Sequence, residues 1–131
     1  MIRHTLILTL AAGAAHAQSF NIDIDTTSGP GSGAPGQSIA GPSGLVGHWN
    51  SITSASPTTV PLMLLNGSPS AATLTRAMNG LFGGTDNPAT TLAYQSLLDD
   101  YQYTTDQPLV YTFNGLQNGL YAVYVCGADP A

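Results

Sequence analysis

Neither lysine nor glutamate occurs anywhere in this chain, and only 7% of its 131 residues are charged, against roughly 25% in an average soluble domain. Chemistry that needs either side chain is excluded. The ionisable inventory is seven Asp, three His, six Tyr, one Cys and two arginines, Arg3 and Arg76. The lone Cys126 rules out an internal disulfide. Its plain reading is a small buried residue on a strand, and its sharper one is a thiol for a partner or for a cysteine in a continuation of the chain. Long apolar runs are missing as well. The single candidate, residues 5–15, has eleven residues, well short of the ~20 that span a bilayer.

That short run has a different meaning in its context. Arg3 and His4 precede it, and Ala15-His16-Ala17 follows as a small-x-small cleavage site before Gln18. This is the layout of a secretory signal peptide. Residues 1–17 are therefore set aside, and the product is expected to be secreted or held at the cell surface after cleavage near Ala17-Gln18. No cysteine stands at the cut, which argues against a lipoprotein. Residues 18–131 keep one arginine against seven aspartates, a formal balance of −6. Nucleic acid is excluded as a partner by that balance, because affinity for it comes largely from cations that neutralise phosphates. The length suits one domain, which would bury about 65% of its unfolded surface.

Glycine (15) and proline (9) take the place of charged helix formers, so strands should dominate. Phe20, Ile22 and Ile24 alternate with Asn21, Asp23 and Asp25, the period of a half-buried strand. Residues 26–44 are rich in Gly, Pro and Ser and are expected to form a loop that is mobile or drapes over the surface without packing. Strands are expected over 45–53, 59–65 and 73–82, with Asn66-Gly67 as a turn and Pro61 placing its strand near an edge. A helix is expected within 87–101, capped by Asn87 and Pro88, with Tyr94, Leu97, Leu98 and Tyr101 on one face. Asp99 and Asp100 would sit badly at its negative end, so the helix stops before them or something compensates. Residues 109–114 and 120–126 are aromatic and β-branched, and the five residues 115–119 between them contain two glycines. They read as a hairpin, with Tyr121, Val123 and Val125 facing inward.

The expectation is an all-β fold, an antiparallel sandwich with one short helix. The start F-N-I-D-I-D, the G-H-W-N element at 47–50, L-L-D-D-Y-Q-Y at 97–103 and Y-T-F-N-G-L-Q-N-G-L-Y-A-V-Y-V-C-G resemble secreted bacterial β-sandwich domains of galactose-binding-like or jelly-roll type. Such domains occur in exported proteins that carry a PEP-CTERM sorting signal. The closing strands of that pattern and its sorting tail are not in this sequence, so the sandwich is expected to be incomplete at its C-terminal side. The resemblance implies a non-catalytic surface or carbohydrate-binding module.

Candidate sites follow from residue type. His48, Trp49 and Asn50 could present an aromatic face and hydrogen-bonding groups to a sugar; the plain alternative for Trp49 is core packing. Asp99, Asp100 and Asp106 are hard oxygen ligands that could hold a structural Ca²⁺, although they lack the order of a calcium loop; otherwise they are solvated or capping aspartates. No other cofactor is expected. Residues 31–36 match G-x-G-x-x-G, but Pro35 stands where a phosphate-binding helix would open. Asn66-Gly67-Ser68 is a formal glycosylation sequon with Pro69 behind it. Catalysis lacks parts: there is no G-x-S-x-G elbow, and adjacent Asp99 and Asp100 would point apart. The expected role is thus a binding or structural module whose partner is an extracellular glycan or cell-surface component. The alternative is the accessory N-terminal part of a polysaccharide-active hydrolase or lyase.

Overall fold

The computed structural model describes residues 18–25, 32–77, 79, 81–84, 86–90, 94–105 and 107–125. Of Phe82 and Asp100 it describes the backbone alone. Strands dominate and helix is scarce, so the fold is all-β.

The best-formed unit is the hairpin of β3 (Thr58–Met63) and β4 (Pro69–Arg76). Its β-branched residues pair across the strands, Thr59 opposite Thr75 and Val60 opposite Leu74, and the two threonine hydroxyls share a 2.9 Å hydrogen bond. Pairs of this kind are the unit of sheet stability. Alternation along β4 buries Ala72, Leu74 and Arg76. The connection is a five-residue loop in which Leu64 N–H donates to Ser68 O and Gly67 N–H to Leu64 O; Gly67 takes φ +79°, as its place after Asn66 anticipates. β7 (Tyr111–Asn114) pairs antiparallel with the other side of β4, which leaves β3, with its Pro61, on an edge as expected.

Two smaller sheets complete the described part. β1 (Asn21–Asp23) pairs with β2 (Trp49–Ser51). β5 (Leu81–Gly84) pairs antiparallel with β6 (Asp100–Tyr103), which directly follows α1 (Gln95–Leu98). Ile52, Leu62, Ala72 and Leu74 form the buried core, with Phe20, Ile22, Ile24, Val60, Tyr111 and Leu116 packed against it. Among the described residues no helix is long and apolar enough to cross a membrane.

Four expectations need correction. The β1–β2 pair is parallel, because the 25 residues between these strands give the chain room to return to the same end before pairing. The loop over 26–44 drapes over the surface in its described part, 32–44, most of which is exposed, but it is anchored where the expectation had no packing at all. Ile39 N–H donates to Gly36 O and Gly44 N–H to Gly41 O within it, while Gly47 N–H reaches back to Gln37 O. Pro35 and Gly41 are buried. The helix is four residues long and does not begin at Asn87. Asn87 instead opens a turn, its Oδ1 accepting Ala89 N–H and its carbonyl accepting Thr90 N–H, and the chain is already extended at Asp100.

The fourth concerns the expected closing hairpin, whose second strand is not formed over 120–125; Cys126 lies outside the described residues. After β7, Gly115 takes φ +68° beside Ala71, where a Cβ would lie 2.4 Å from the Ala71 carbonyl oxygen. Leu116 packs against the core, and Gln117 N–H donates to Gln18 Oε1 at 2.9 Å. The chain therefore crosses toward β1 without reversing along β7. Tyr121, Val123 and Val125 are exposed, at 39%, 75% and 88%.

Candidate functional site

Of the expected sugar-contacting triplet, Trp49 and Asn50 have side chains tied to backbone groups, and Trp49 also lines an open apolar cleft. Gly47 takes φ +139° with a notional Cβ 2.3 Å from Leu65 O, so only glycine lets the chain approach closely enough for His48 N–H to donate to that carbonyl at 2.7 Å. Trp49 then turns inward. It is buried, and its indole N–H donates to Ile39 O at 3.2 Å, which pins the loop. Asn50 has both ends of its amide in use. Nδ2 donates to Asn21 O and Met63 O, each at 3.0 Å, and Oδ1 accepts Met63 N–H at 2.7 Å. It substitutes for missing ladder bonds between β1, β2 and β3, whose backbone groups would otherwise be unpaired.

The polar face of β1 behaves the same way. Asn21, Asp23 and Asp25 are more buried than the isoleucines they alternate with, because the loop lies on them. Asn21 Nδ2 donates to Leu45 O at 3.1 Å, and Asp25 Oδ1 accepts Gly33 N–H at 2.8 Å. The guanidinium of Arg76, 1% exposed, donates to Ser56 O.

Of the expected calcium ligands, Asp99 alone has a described side chain; that of Asp100 and the whole of Asp106 lie outside the described residues. Asp99 is 1% exposed, with Oδ2 accepting Asn87 N–H and Oδ1 accepting the Thr90 hydroxyl. Its backbone N–H closes α1 onto Gln95 O. This carboxylate ties the 87–90 turn to the end of the helix. Among the described residues there is no group of three or more His, Cys, Asp or Glu placed to hold a metal ion.

What the sequence reading did not anticipate is an open apolar cleft of about 710 Å³. Phe20, Ile22 and Ile24 line one side, Tyr111, Phe113 and Leu116 another, and the run 120–125 its mouth, with Tyr101 and Gln102 of β6 also contributing. The volume lies within the ~300–1,000 Å³ of small-ligand sites. Tyr101 lies over Gly83, where a Cβ would come 2.5 Å from its ring, and packs tilted against Tyr103 with centroids 5.8 Å apart. The Tyr111 hydroxyl donates to Gln102 Oε1, whereas Gln102 Nε2 is buried with no hydrogen-bond partner. Burial raises the Tyr111 pKa above its ordinary value, and nearby Arg76 works against that rise. The aromatic content of these segments was visible in the sequence. Their convergence was not, because it depends on the crossing of residues 115–118 toward Gln18. No protein family, curated protein or solved structure matches the chain.

Proposed function

We propose that this chain is an exported, non-catalytic module, a β-sandwich of galactose-binding-like or jelly-roll type, that acts at the bacterial cell surface by holding a neutral glycan in the aromatic cleft. The observation that carries the reading is the use made of polar side chains. Asn21, Asn50, Asp25, Asp99 and Arg76 all have backbone groups as partners, so they hold loops in place and are not offered to a substrate. The cleft offers rings: Tyr101, Tyr111, Phe113 and Tyr121. The C–H faces of a pyranose stack on such rings, and hydroxyls at their edges supply orientation. Acidity selects further. With one arginine against seven aspartates beyond residue 17, anionic polysaccharides are repelled and uncharged ones are not.

The test is a glycan array followed by calorimetric titration of the secreted protein. Neutral saccharides should bind, and Phe113→Ala or Tyr121→Ala should weaken binding at least about tenfold, the effect expected when an aromatic anchor is removed, while leaving the thermal midpoint in place. Trp49→Ala should lower the midpoint, because that ring holds the loop. Binding to no saccharide would leave a structural surface role. A catalytic domain encoded downstream at the same locus would support the alternative, an accessory part of a hydrolase or lyase, and cleavage of a bound saccharide by this chain would overturn the non-catalytic reading.

A further inference from the structure

We propose that Gln18, once it is the first residue of the exported chain, closes on its own α-amine to a five-membered lactam, so that the mature domain carries a blocked N-terminus. The proposal rests on the export reading, which puts the cut between Ala17 and Gln18. Glutamine at that place holds its carboxamide carbon within reach of the α-amine. The α-nitrogen bonds to Cδ, the Cδ–Nε2 bond breaks, and the carboxamide nitrogen departs as ammonia, taking up a proton given up by the amine. No oxidant or further reactant is required. An α-amine has a pKa near 7.7–8.0, so a usable fraction is neutral and nucleophilic at neutral pH. Holding both groups in one residue removes the entropic cost of bringing them together.

The fold adds an activating contact. Gln18 Oε1 accepts the Gln117 N–H at 2.9 Å, while the Tyr121 hydroxyl, 3.4 Å from that oxygen, gives its one proton to Gln117 O at 2.9 Å and so holds the Gln117 peptide in place. An N–H aimed at a carboxamide oxygen polarises Cδ and stabilises the negative charge that grows on that oxygen as the amine adds. The lactam keeps the carbonyl oxygen, so the tie between the first described residues and the segment after β7 has an acceptor before and after closure. Closure also removes the α-ammonium charge. Arg76 is then the sole arginine of the exported chain, and it is 1% exposed. The outer surface is left without a fixed positive charge.

Intact-mass measurement and N-terminal sequencing of the secreted protein test the proposal. The expected product begins at residue 18, is lighter by one ammonia than the open chain, and resists stepwise degradation until treated with a pyroglutamate-removing aminopeptidase. Released with an open terminus, the folded chain should lose ammonia several-fold faster than the same chain in urea. Gln18→Ala should keep an amine that takes up an amine-reactive label. A chain correctly cut at residue 18 that retains free glutamine overturns the lactam and leaves the export reading intact. A chain uncut, or cut elsewhere, overturns both. Equal rates in buffer and in urea overturn the role of the Gln117 N–H.

Discussion

At the scale of single residues, the described domain is held by polar side chains to an unusual extent, because its apolar core is small. Five apolar residues are buried among those described, and full burial of a large one contributes about 1.5–3 kcal/mol. Asn50 shows the consequence. Replacing it with alanine would strand Met63 N–H and two carbonyls, and buried unpaired groups cost about 1–3 kcal/mol each. Asn50→Ala is expected to lower unfolding free energy by about 2–4 kcal/mol in urea titration, whereas neighbouring His48→Ala should change little. Gly115→Ala is a backbone counterpart. At φ +68° beside Ala71 O it should cost at least about 2 kcal/mol, since left-handed strain alone is of order 1–3. Tyr111 adds a pH dependence. Its folded pKa is raised by burial, so its contribution is fully present below the unfolded value near 10 and is lost as pH rises through the folded pKa. Tyr111→Phe should flatten the fall in stability above pH ~10, read from urea midpoints at successive alkaline pH values.

At the scale of elements, legibility in the sequence followed the range of the interactions. The β3–β4 hairpin was readable because alternation, Pro61 and Asn66-Gly67 all act within a few residues. The β1 run was readable as a strand, yet its buried polar face was not, since that depends on a loop carrying Gly33 and Leu45 back onto Asp25 and Asn21. Composition marked residues 26–44 as a surface loop and left out its anchors, because small side chains conceal how well backbone bonds can order such a segment. Helical spacing at 94–101 was outweighed by pairing of β6 with β5. The awkward Asp99 has a physical resolution: its carboxylate turns away from the helix end to Asn87 N–H and the Thr90 hydroxyl. Asp99→Ala should therefore cost about 1–3 kcal/mol and speed amide hydrogen exchange across 86–90, with the β3–β4 amides unchanged. Of the expected sugar site, Trp49 lines the cleft, while the backbone partners that hold Trp49 and Asn50 were not legible. Ring and amide chemistry serve a ligand or a loop equally well, and the difference lies in long-range partners such as Ile39 O and Met63 O.

At the scale of the whole molecule, scarcity of charge returns as a solubility problem. Leu120, Val123, Tyr124 and Val125 are 102%, 75%, 60% and 88% exposed, in a stretch, 107–125, without a single charged residue. Natural proteins keep exposed apolar segments apart with charges, lysine above all, and this chain has no lysine. What remains is repulsion between aspartates, from a formal balance of −6 at neutral pH over residues 18–131. Association should thus rise steeply as pH falls into the carboxylate range, where that balance shrinks and colloidal protection is lost. Protonation sets the sign, since each step down in pH removes negative charge while the apolar surface stays the same. Val123→Asp with Val125→Asp should move the light-scattering maximum to lower pH and reduce its height. The thermal midpoint at pH 7 should hold, since neither side chain is buried. Scattering independent of pH, or unaffected by the two added carboxylates, would show that this segment does not govern association and that the aspartates do not keep the molecules apart.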